Sequence, residues 1–253
     1  MELIKVSNLG QLNISESNDN IYLIDNDVVI NVDENVNANI LDISNNKKIV
    51  INASYNSNVN YYVIDSSNTN KEFNILGNLN LLGISLNKTD DLINVNLNKE
   101  NANFESRYLS FAKSINVNCH INVYHNKKST ISNVSNFGVA LDGGNIMFDV
   151  VSKIEKGMAK SNAKQLSRGV VVDDNSKVSA KPILLIDEYD CFANHGASIG
   201  KISDDELFYL MSRGLSKNDA CLLILEGIIK PFIDAIPLEE YKNSISDKVR
   251  NII

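Results

Sequence analysis

Tryptophan is absent from this 253-residue chain, and histidine and cysteine occur three times each. The lack of indole rings disfavours a sugar-binding groove, which depends on aromatic stacking. His120, His125 and His195 leave little for an independent zinc centre. Cys119, Cys191 and Cys221 are odd in number and unevenly spaced, so neither a disulfide framework nor a multi-cysteine zinc motif is indicated, and a reducing cytoplasm fits. No G-x-x-x-x-G-K-[ST] phosphate loop is present, and Asp142-Gly143-Gly144 lacks its flanks, so no nucleotide machinery is visible. No apolar run reaches membrane-spanning length, and the N-terminus has no basic segment leading into an apolar one. Clustered cations are missing too. A formal charge of −7 and a pI near 5.0 argue against a nucleic-acid or anionic-membrane surface, where phosphates must be neutralised.

What the chain has is apolar residues, at 43%, and asparagine, at about one residue in seven. The asparagines interleave with Ile, Val and Leu, which reads as the solvent side of strands and their turns, not as a disordered tract. From Leu3 to about Ile202 the apolar period is two, as in Ile93 to Leu97 and Ile115 to Val123, the signature of half-buried strands. Ile40, Asp42 and Ser44 interrupt it. Close-set turns of Asn, Asp, Gly and Ser separate the runs. A sandwich, a barrel and a β-solenoid all satisfy this pattern. On the alternation, Cys119 faces inward as core, His120 points outward, and His125, at a strand end, is exposed.

Beyond Ile202 the period becomes helical. Ser203-Asp204-Asp205-Glu206 has the spacing of a capping box, and Gly214 supplies a left-handed stop. Ser216 to Asp219 repeats the start signal, Cys221 opens an apolar helix as a core residue, and Pro231 limits or kinks it. A third helix is expected from about Pro237. The expected organisation is a β core over 1–202 and a helical subdomain over 203–253.

Ordered motifs carry a resemblance. Gly144 to Phe148, Ile154 to Gly157, Ser161 to Gln165 with Arg168, Asp187 to Asp190, His195 to Ser198 and Leu207 to Gly214 occur in sequence. Together they resemble the SufB/SufD proteins of the Suf iron–sulfur cluster assembly system. The resemblance implies a mainly β fold: a right-handed parallel β-helix core with a small C-terminal α-helical subdomain. No strict repeat is legible in the chain itself, which also looks shorter than the family norm at its N-terminal helical region.

The resemblance also implies a function. Gly196 stands where SufB proteins usually place a glutamate, and Gln165 to Arg168 and Lys181 to Ile186 look like SufD. The expectation is a non-catalytic SufD-like scaffold subunit that pairs with SufB and binds the ABC-type ATPase SufC. No cofactor would be held firmly by this chain, with a transient iron–sulfur cluster at the SufB interface. His195 is the candidate ligand, since neutral imidazole binds iron. Cys191 is a weaker one, because four extended residues place it about 13 Å away at about 3.3 Å per residue. The SufC contact is assigned to the helical end through Leu207, Phe208, Tyr209, Met211, Arg213, Leu223, Ile228 and Phe232. A helical cap over the open end of the β core is compatible with that assignment. The alternatives are a SufB-like homodimeric scaffold in a reduced system and an independent β-solenoid enzyme.

Overall fold

The computed structural model describes residues 2–6 and 10–252; Met1 and Ile253, the outermost residues of the two expected regions, lie outside them. Seventeen strands come first: β1 (Leu3–Val6), β2 (Gln11–Ile14), β3 (Ile21–Ile24), β4 (Val28–Val32), β5 (Asn37–Asp42), β6 (Lys48–Ala53), β7 (Asn58–Ile64), β8 (Asn70–Ile75) and β9 (Asn78–Ser85). They continue as β10 (Thr89–Leu97), β11 (Asn103–Lys113), β12 (Asn116–His125), β13 (Ile131–Leu141), β14 (Asn145–Ile154), β15 (Asn162–Val171), β16 (Lys177–Ile186) and β17 (Phe192–Lys201). Odd strands stack into one nine-stranded sheet and even strands into one of eight. Every pairing is parallel, so each coil adds one strand to each sheet: a parallel β-helix.

The register explains why no repeat shows in the sequence. Leu3 lies beside Ile21, 18 positions on; Asn37 beside Asn58, 21 on; Asn103 beside Ile131, 28 on; and Ile131 beside Asn162, 31 on. Coils lengthen along the axis, so no fixed period exists to be detected.

Parallel in-register stacking places like residues one strand spacing apart, and amide side chains then hydrogen-bond along the axis. On the eight-stranded sheet the amide of Asn31 donates to Asn13 at 2.8 Å, Asn52 to Asn31 at 2.7 Å, Asn74 to Asn52 at 3.0 Å and Asn96 to Asn74 at 3.0 Å. Asn60 donates to Asn39, and Asn80 to Asn60, on the other sheet. Further asparagines turn the corners: Asn35, Asn46, Asn56, Asn68 and Asn101 all have positive φ, a conformation that asparagine tolerates better than most residues.

The helices are α1 (Asp204–Ser212), α2 (Lys217–Asp234) and α3 (Glu239–Ile252). Ser203 and Ser216 cap the first two, accepting from the amides of Glu206 and Asp219; Gly214 ends the α1 turn at φ 97°, and Pro231 lies inside α2. Contrary to the expectation of a cap, the helices do not close the end of the β-helix. Leu225, Ile229, Phe232, Ile245 and Val249 pack against Ile64, Leu82, Ile84, Leu109, Phe111 and Val139. Those strand residues point outward from the nine-stranded sheet, alternating with the interior row. That outer face is apolar, and burying each large side chain is worth about 1.5–3 kcal/mol, so the helices cover the flank. Cys221 is half-buried, not core.

Three polar residues lie in the interior, one of them against expectation. His125 is 1% exposed, not solvated: its Nδ1 lies 2.8 Å from the Thr130 hydroxyl and its Nε2 2.9 Å from that of Ser132. The corner at 126–130 folds back to supply Thr130, and the start of β13 supplies Ser132, which strand parity cannot show. Asp42 and Ser44, which interrupt the apolar pattern, keep its inward direction and are fully buried.

Candidate functional site: the open end of the solenoid

β16 and β17 are the last strands of their sheets, each paired on one side only. Both are ten residues long, whereas β1 and β2 at the other end have four each. Exposed apolar residues gather here: Ile183, Leu185, Phe192, Ile199 and the fully exposed Tyr189. A long free edge with exposed apolar side chains is a template for pairing with another chain.

Register partners in a parallel sheet point to the same side. Ala193, His195, Ala197 and Ile199 lie beside Ala163, Gln165, Ser167 and Gly169, and Ala163, Gln165 and Ser167 are buried in the interior. His195 is therefore an interior-facing residue of the terminal coil, and it is exposed because no further coil covers it. Cys191 lies in the turn just before β17, half-buried, its thiol donating to the Glu188 carbonyl at 3.2 Å. Burial, Glu188 and Asp190 all push that thiol up, which opposes the thiolate needed for a metal. Among the described residues no group of three or more His, Cys, Asp or Glu side chains could hold a metal ion.

The helical residues divide by exposure. Phe208, Tyr209, Met211 and Leu223 are exposed, at 74% for Phe208, and Arg213 is exposed with its guanidinium over the Tyr209 ring. Ile228 is half-buried. Leu207 and Phe232 are buried within the chain; Phe232 is sandwiched against Phe137 and Arg107 of the flanking sheet.

Sequence reasoning missed a charged network inside the β-helix. Lys71 and Asp42, both fully buried, lie 3.3 Å apart. Asp42 also accepts from Tyr61 at 2.8 Å and Ser44; Lys71 donates to Thr69, which donates to Asp91 at 2.7 Å, and Tyr108 donates to Asp91 at 3.2 Å. Burial first, and then the neighbouring carboxylates, holds both tyrosine hydroxyls well above their usual range. Cys119 is buried as expected, and burial followed by Asp91 pushes its thiol far up. It is an inert thiol. The interruption at Asp42 and Ser44 was the legible signal of this network. On the outer face, His120 is 3.2 Å from Asp90 and 3.6 Å from Asp149, tying three coils together.

A family model described as the SUF system FeS cluster assembly SufBD core domain matches residues 13–228, from the second strand to the middle of α2. The chain belongs to the SufBD core family. Among similar proteins, the iron–sulfur cluster assembly protein SufD of Bacillus subtilis is 37% identical over 123 residues, 49% of this chain and 28% of that relative. A SufBD family protein of Mycobacterium leprae is 31% identical over 115 residues, 46% of this chain and 13% of the relative. One from Pyrococcus horikoshii is 36% identical over 101 residues, 37% and 22%. The aligned segment thus spans less than a third of each of these relatives. The family is described as one of iron–sulfur cluster assembly. No helix among the described residues is long and apolar enough to cross a membrane.

Proposed function

We propose that this SufBD-family chain is a non-catalytic, SufD-like scaffold subunit working in the cytoplasm. It pairs through the β16–β17 end with a SufB-type partner and binds a SufC-type ATPase through the exposed helical surface. One observation carries the reading: the β-helix ends in two long strands, each unpaired along one edge, that expose an interior-facing histidine. Pairing there would satisfy the free backbone groups, bury Ile183, Leu185, Phe192 and Ile199, and set His195 at the joint. A nascent iron–sulfur cluster is cargo at that joint, not a resident cofactor, and His195 offers it one neutral nitrogen ligand. Cys191, with its thiol pushed up and bonded to Glu188, contributes no ligand in this reading.

The ATPase contact uses Phe208, Tyr209, Met211, Arg213 and Leu223, with Ile228 at its margin; Leu207 and Phe232 support it from beneath. The test is co-purification of the three proteins. Phe208→Glu with Leu223→Glu should abolish ATPase recovery while SufB recovery is kept, and His195→Ala should leave the assembly intact but lower the iron it retains. Recovery of two copies of this chain with the ATPase, and no SufB, would replace the heterodimer by the homodimeric scaffold. Unchanged ATPase recovery would overturn the helical assignment.

A further inference from the structure

Directly beneath His195 lies Gln165, its register partner on the interior face. Gln165 is 3% exposed and reaches across the solenoid: its amide nitrogen donates to the Ser152 hydroxyl at 2.8 Å and to the Ile183 carbonyl at 3.1 Å. A carbonyl oxygen only accepts, so the bond to Ile183 fixes which end of the amide is nitrogen. The other end, Oε1, is buried and has no hydrogen-bond partner. A buried acceptor left empty carries a standing desolvation cost, and native interiors rarely leave one so.

The interior side of Gln165 is bounded by groups that already have roles. Ser152 is engaged by the amide nitrogen. Along the same face of β15, its neighbours are Ala163, which presents no polar side chain, and Ser167, whose hydroxyl does not bond to Oε1; beneath it lies the apolar Val134 of β13. On the open side stands the exposed imidazole of His195; an imidazole in its neutral form has one N–H to donate and one nitrogen to accept.

We propose that Gln165 is a positioning residue for His195: its Oε1 accepts the N–H of one ring nitrogen and so directs the other, unprotonated nitrogen out of the open end. An imidazole that serves as a ligand is oriented this way, since the bond made by one nitrogen decides which tautomer, and hence which lone pair, is available. The proposal rests on the reading of His195 as the interfacial ligand, and assigns the residue that prepares it. No atom is transferred; one hydrogen bond selects one tautomer and restricts the ring.

Only three histidines occur in these 253 residues, so the ring nitrogens of the chain labelled with nitrogen-15 can be assigned by single substitutions. His125, held by Thr130 and Ser132, serves as an internal control. At pH 8, where imidazole is neutral, His195 should show one dominant tautomer. Gln165→Leu should convert it to an exchanging mixture and leave His125 unchanged. The same His195 tautomer in Gln165→Leu as in the native chain would overturn the proposal. Iron retention by the assembled complex is read separately. Loss of iron in His195→Ala with no tautomer effect of Gln165 would sink this inference and keep the ligand reading; the reverse pattern would sink the ligand reading alone.

Discussion

Acid should weaken this protein through His125 before its carboxylates matter. The Thr130 hydroxyl bonds to the Lys127 carbonyl, so it accepts from Nδ1–H of His125, and Nε2 accepts from Ser132. A second proton would turn Nε2 from acceptor to donor in a buried corner. Burial, partly offset by the bond at Thr130, accordingly lowers the imidazole to about 4 from 6.5. The folded value is the depressed one, so the unfolded chain binds the extra proton first. The contribution is fully present above pH 6.5 and is lost as pH falls through 4. At about 1.36 kcal/mol for each pH unit, the whole effect is roughly 3 kcal/mol, of which about 1.4 kcal/mol is gone by pH 5.5. Urea unfolding followed by circular dichroism between pH 8 and 5.5 stays clear of the pI near 5.0, where solubility is least. His125→Gln, which keeps polar atoms in the corner but does not titrate, should be less stable at pH 8 yet lose about 1 kcal/mol less than the native chain on going to pH 5.5. Parallel stability profiles for the two proteins would refute the reasoning.

The interior network makes a second prediction: Lys71→Met strands the buried Asp42 charge and should cost about 3–5 kcal/mol in urea unfolding, most of it recovered when Asp42→Asn is added. Gly83 lies against the Tyr108 ring, which a Cβ would meet at 2.2 Å. Gly83→Ala should cost about 1–3 kcal/mol by overpacking, and an unchanged thermal midpoint would show that the ring has room to move. Asn52 both donates to Asn31 and accepts from Asn74. Asn52→Ala should lower stability by about 1–3 kcal/mol, at roughly 0.5–1.5 kcal/mol for each bond lost, whereas a similar change at Asn18, an exposed residue outside the ladders, should be near neutral.

The strand character, the inward direction of Cys119 and the serine caps at Ser203 and Ser216 were all legible in the sequence, because they depend on local periodicity and on side chains bonding to backbone three residues away. The solenoid was legible only through the resemblance, since coils growing from 18 to 31 residues leave no period. His125 was misplaced for a related reason: a strand-end residue is exposed or buried according to how the next corner folds. Leu207 and Phe232 share a helix surface pattern with Phe208 and Leu223, and only the packing of α1 against α2 and of α2 on the nine-stranded sheet separates those buried within the chain from those left free.

Alternation by itself determined that this chain forms strands with an apolar side, that asparagine lines their outer surface and corners, and that helices follow Ile202. It did so because side-chain direction along a strand or helix is a property of the local backbone. Which strands pair, where the stack stops, and what lies beneath His195 are relations between residues tens of positions apart. Only the tertiary structure decides them: stacking coils in parallel turns Asp42, Lys71 and Asp91 into one buried network, leaves β16 and β17 each with one free edge, and seats Gln165 under the histidine that the open end exposes.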